Sequence, residues 1–155
     1  MLKRKTSAII SLVICALCSI ALVVMACTFP AFVNWFYTDI HGLAPGAADL
    51  QTIRALLIPA FYICVPIAAA ALYMLIAFLL NIIKERVFIR QNVIYLRLIS
   101  WCCYAVTLVT LIPGVKYLPL LIISCAMVTV GTLLRVMKNM TETAVALREE
   151  NDLTI

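Results

Sequence analysis

Residues 55–83 carry no charged side chain. As a single helix they would be about 43 Å long, against about 30 Å for the hydrocarbon core of a bilayer. A second uncharged run covers residues 6–38, and a third covers 117–134. Residues 91–115 form a fourth apolar run, interrupted only by Arg97. Apolar residues make up 66% of the chain and charged residues 12%, where a soluble domain has about 45–50% and about 25%. So little charge cannot cover so much hydrocarbon in water, so lipid is the solvent. In lipid the backbone must satisfy its own hydrogen bonds, which makes each run a helix.

These features predict an all-α fold, an integral membrane four-helix bundle with a cytoplasmic extension of the fourth helix. One domain takes in 1–155, with spans at about 7–32, 55–83, 93–112 and 118–137. A helical extension and tail occupy 138–155. The first run follows Lys3, Arg4 and Lys5 but is too long for a secretory signal, so it is expected to be retained. Trp35, Phe36 and Tyr37 mark its exit from lipid. His41-Gly42 and Pro45-Gly46 are turn signals. Asp49 is expected to cap the second span and Asn92 the third. Pro59 and Pro66 are expected to kink the second span. Pro113-Gly114 leaves so short a connection that spans three and four must be antiparallel neighbours. Helical spacing of Leu133, Val136, Met137, Met140, Ala144 and Leu147 carries the fourth helix well past the lipid.

Orientation follows from basic residues. Lys3, Arg4, Lys5, Lys84, Arg86, Arg90, Arg97, Arg135, Lys138 and Arg148 fall on one side, and only Arg54 and Lys116 on the other. The first side is expected to be cytoplasmic, with both chain ends there. The net charge of +5 thus sits at the ends of spans, and no direct nucleic-acid role is expected. Arg97, one turn inside its span, is expected to snorkel to the phosphates.

The chemistry of catalysis is sparse. Ser11, Ser19, Ser100, Thr107, Thr110, Ser124 and Thr129 have no His, Lys or carboxylate within the spans to activate them. They are expected to hydrogen-bond between helices instead. The seven cysteines all lie in apolar runs. Cys15 and Cys18 are one turn apart but lack further metal ligands nearby in sequence. No enzymatic activity, metal or cofactor is expected.

Two stretches carry a family resemblance. One is Val87-Phe88-Ile89-Arg90-Gln91-Asn92-Val93 followed by Leu96-Arg97-Leu98-Ile99. The other is the terminal Leu147-Arg148-Glu149-Glu150-Asn151-Asp152-Leu153-Thr154-Ile155. With four spans in this length, the chain resembles the bacterial membrane proteins of domain-of-unknown-function family 2975. That family has no established activity. Its genes often neighbour a small helix-turn-helix regulator, so the resemblance implies a membrane-bound partner or controller of a cytosolic transcription factor. The alternative is a small transporter component or an immunity protein against membrane-active agents. Candidate partner-binding residues are Phe88, Asn92 and Arg97, together with the terminal Glu149, Glu150, Asn151, Asp152, Leu153, Thr154 and Ile155. Acidic Glu149, Glu150 and Asp152 are expected to face basic Lys84, Arg86 and Arg90. The partners expected are the lipid bilayer and such a regulator; a homo-oligomer is left open.

The topology is checked with single reporter cysteines in a cysteine-free background. A reporter at Ala48 should react with an impermeant maleimide in intact cells, and one at Asn139 should not. Equal labelling of both overturns the orientation.

Overall fold

A computed structural model describes residues 2–40, 42, 44, 47–84 and 89–152, with side chains described for all of these except 2–5 and 152. Four long helices follow one another: α1 (Leu2–Trp35), α2 (Ala48–Ile83), α3 (Arg90–Gly114) and α4 (Leu118–Asp152). A π-helical turn, Phe36–Ile40, prolongs α1. All four are long and apolar enough to cross a membrane. The 35 residues of α4 span about 52 Å, so some 20 Å of it must leave a bilayer that the rest crosses.

Two expected caps are corrected. Asp49 is not the N-cap of α2; that position is Ala47, without a side-chain cap bond, and Asp49 sits in the first turn. Its carboxylate there still complements the positive end of the helix dipole. Nor does Asn92 cap α3. Ile89, extended at φ −128°, holds the cap position, and Asn92 lies in the first turn with its side chain turned inward. The physical cause is a competing partner on α2, taken up below. α2 runs through Pro59 and Pro66 as one helix.

The helices form a row. α1 packs on α2, α2 on α3 and α3 on α4, and among the described residues the substantial contacts are confined to these neighbours. The four helices therefore make an open arrangement, with α1 and α4 at its edges. The surface area is 10297 Å², where a compact chain of this mass exposes about 7,800 Å². Ile9, Val13, Leu17, Ile20 and Val24 of α1 are among the exposed apolar side chains. Lipid tails are as apolar as these side chains, so burial against another helix brings little gain. Helices close on one another only where shape or hydrogen bonds favour it.

The α3–α4 pair has both. On α3, Ser100, Cys103, Thr107, Thr110 and Gly114 recur at intervals of three and four. On α4, Leu121, Ser124, Val128 and Gly131 do the same. Small residues let two backbones approach. A Cβ added at Gly131 would lie 3.1 Å from Tyr104 Cε1 and 3.2 Å from Cys103 Cβ. At Gly114 it would lie 3.0 Å from the Leu121 nitrogen. Between them, the Ser124 hydroxyl donates to the Thr107 carbonyl at 3.0 Å and shares a 3.0 Å hydrogen bond with the Thr110 hydroxyl. Ser100 and Ser124 are each 1% exposed. The expectation that hydroxyls join helices holds for Thr107, Thr110 and Ser124. Ser11, Ser19 and Thr129 bond carbonyls of their own helices four residues back, and Ser100 bonds the Arg97 carbonyl three back.

The α1–α2 contact rests on a proline that the sequence reading left unused. Pro30 lies inside α1 and has no N–H for the Ala26 carbonyl. The Tyr62 hydroxyl of α2 donates to that carbonyl at 2.9 Å. Beside them Phe29, which precedes Pro30, and Phe61, which precedes Tyr62, stack at 3.8 Å between centroids.

The seam yields a stability prediction. Ser124→Ala should cost about 0.6–1.7 kcal/mol, the range for hydrogen bonds between membrane helices. Gly131→Leu should cost more, because the side chain enters space already filled by α3. Unfolding in denaturing detergent reads both; an unchanged midpoint for Gly131→Leu would show that close approach does not hold the pair.

Candidate functional site

The basic end of the row brings together the end of α2, the start of α3 and the end of α4. Asn92 is 0% exposed. Asn81 Nδ2 of α2 donates to its Oδ1 at 2.8 Å. A buried amide needs partners, and Asn81 supplies one from the neighbouring helix. This bond holds the Asn92 side chain away from the cap position and ties α2 to α3.

Arg90 and Glu149 clamp α3 to α4. Arg90 donates through Nε to Glu149 Oε1 at 2.9 Å and through a terminal nitrogen to Oε2 at 2.8 Å. Such a two-pronged pair is the strongest arrangement open to Arg and carboxylate. The pair is exposed, with the side chains 80% and 48% accessible, so its worth lies in orientation more than in stability. Two turns inward from Glu149, Glu142 accepts from Lys138 and stands 3.9 Å from Arg97. Arg90, Val93, Ile94 and Arg97 of α3, with Glu142, Val145, Ala146 and Glu149 of α4, line a cleft of about 330 Å³.

A second cleft, of about 280 Å³, lies nearer the membrane between Arg97, Ser100, Trp101, Arg135 and Lys138. The Arg135 guanidinium sits over the Trp101 ring, 5.7 Å from its centroid.

Of the candidate residues, the structure brings Arg97 and Glu149 to the α3–α4 cleft and places Asn92 as a buried link between helices. Glu150 and Asn151 are exposed on the last turns of α4. Phe88, Leu153, Thr154 and Ile155 lie outside the described residues, as do Arg86 and the side chain of Asp152. The expected attraction between the acidic end and the basic connection is realised in Arg90 and Glu149. Sequence reading passed over Trp101, Arg135, Lys138 and Glu142. Their signal was spacing: Arg97 and Trp101 are four apart, and Arg135, Lys138 and Glu142 follow at three and four, one face of each helix. Among the described residues no three His, Cys, Asp or Glu side chains are placed to share a metal ion.

The family described as "Protein of unknown function (DUF2975)" matches residues 35–155. The chain belongs to that family. The match takes in α2, α3, α4 and the aromatic end of α1. It is narrower than the whole-chain resemblance expected, since residues 1–34 fall outside it. Both clefts of the basic end lie within the family segment. Neither a curated protein nor a solved structure matches the chain.

The Arg90–Glu149 clamp sets a pH dependence. The hydrogen bonds from Arg90 hold the Glu149 carboxyl below its usual 4.5. A carboxyl depressed by folding contributes its stability above the unfolded value and loses it as pH falls through the folded one. The clamp should therefore be intact at neutral pH and release as acid carries the pH below 4.5. Spin labels at Gln91 and Leu147 should give a narrow distance distribution at pH 7 that broadens in acid. Glu149→Gln should be broad throughout; a narrow, pH-independent distribution in that variant would discount the clamp.

Proposed function

We propose that the protein is a membrane-embedded binding partner and regulator of a small cytosolic helix-turn-helix transcription factor. In this reading it sits in the bacterial cytoplasmic membrane with both ends in the cytoplasm, and it works by binding rather than catalysis. The supporting observation is the Arg90–Glu149 clamp. It holds the part of α4 that outruns the bilayer against α3, beside a cleft of mixed charge and apolar lining. Crossing lipid requires neither the extra turns nor the clamp. A fixed polar ledge outside the membrane suits the docking of another protein, and the ten-to-two bias of basic residues turns that ledge toward the cytoplasm. The gene neighbourhood implied by the family resemblance supplies the class of partner.

In this reading the terminal Leu153, Thr154 and Ile155 form a short β-favouring apolar segment for the partner's groove or sheet edge. Burying one Leu or Ile contributes about 1.5–3 kcal/mol before ordering costs. Crosslinking and pull-down from native membranes should recover a small DNA-binding protein. Leu153→Ala or Ile155→Ala should each cut recovery by about tenfold, and Glu150→Gln by less. Deleting 152–155 should leave membrane insertion intact and abolish recovery. Recovery from the truncated chain equal to wild type overturns the tail's role, and no DNA-binding protein from either overturns the reading as a whole.

A further inference from the structure

We propose that the cleft formed by Arg97, Ser100, Trp101, Arg135 and Lys138 binds a phosphate group, that of an anionic phospholipid in the leaflet at the basic end. The inference is independent of any protein partner.

Charge is the first observation. Three cations line the cleft, and one carboxylate, Glu142, answers two of them, Lys138 and Arg97. Arg135 makes no ion pair among the described residues; its guanidinium lies against the Trp101 ring. The cluster thus holds a local excess of positive charge inside a concave space of about 280 Å³. Liquid water takes about 30 Å³ per molecule, so the space suits a phosphodiester headgroup. The planar fork of an arginine matches two phosphate oxygens. Stacking on Trp101 limits the conformations Arg135 gives up on binding.

Depth is the second. Arg135 lies about 26 Å along α4 from Leu118. Hydrocarbon about 30 Å thick that begins near Leu118 ends close to this level. The cations therefore stand where lipid phosphates lie, and basic clefts between membrane helices suit anionic headgroups. Lipid is favoured over a soluble phosphate by the surface toward the membrane centre. Trp101, Tyr104 and Leu108 continue the face of α3 that carries Arg97, and Trp101 and Leu108 are exposed by 57% and 67%. They offer an apolar track for an acyl chain whose headgroup sits in the cleft.

The test uses the full chain in neutral detergent with Trp35→Phe, which leaves Trp101 as the one tryptophan. Its fluorescence is followed during titration with short-chain phosphatidylglycerol, phosphatidylcholine or inorganic phosphate. Phosphatidylglycerol should give a saturable change that phosphatidylcholine does not match. Arg135→Gln and Arg97→Gln should each weaken it by about tenfold, the worth of one charged hydrogen bond. Lys116→Gln removes the same charge at the opposite end and should leave it unchanged. Circular dichroism checks that each variant is folded, and either arginine variant suffices if the other is not. Inorganic phosphate binding as tightly as the lipid overturns the lipid assignment in favour of a soluble phosphate compound. Equal responses to the two lipids, or wild-type affinity in a folded arginine variant, overturn the site.

Discussion

The close approach of α3 and α4 governs the rest of the structure. Helices in lipid gain little by hiding apolar side chains, so a pair holds together through shape and polar links. Here Gly114 and Gly131 remove the side chains that would keep the backbones apart. Ser124 then reaches Thr107 and Thr110 across the gap. The same register continues along α4 through Arg135, Lys138, Glu142, Val145 and Glu149. Both clefts of the basic end are therefore extensions of one seam. As its members grow from glycine and serine to lysine, arginine and glutamate, the helices are spaced by long side chains and leave room between them.

The other helices attach through fewer links. Asn81 and Asn92 join α2 to α3 at the basic end. Pro30, Tyr62 and the Phe29–Phe61 stack join α1 to α2. Among the described residues no comparable device links α1 to α4, and the row stays open. The family match follows the same division: it covers the three helices that build the basic end and leaves most of α1 outside. Among the described residues, the substantial contacts of α1 with the other long helices are with α2.

Much of this was legible in the residues. Uncharged runs specify helices because lipid offers the backbone no alternative partner. The short connection at Pro113-Gly114 makes α3 and α4 neighbours, and the acidic end of α4 faces the basic start of α3 through Glu149 and Arg90. Local patterns misled where a distant partner competed. Asn92 has the composition and position of a cap, yet Asn81 on another helix claims its side chain. Asp49 lies two residues past the cap position, Ala47, because α2 begins earlier than its apolar run. Arg135 and Lys138 read singly as charges that set orientation, and only the facing of two helices makes them one cluster with Trp101.

The sequence by itself determined the number of helices, their antiparallel order along the chain and the end at which the basic residues collect. Hydropathy and charge are sums over local stretches and need no knowledge of neighbours. Tertiary structure alone decided that the helices form a row and which polar groups meet. In lipid the spans are apolar all round, so hydrophobicity marks no inner face. The choice passes to steric fit and single hydrogen bonds, and these exist only once two helices are placed side by side.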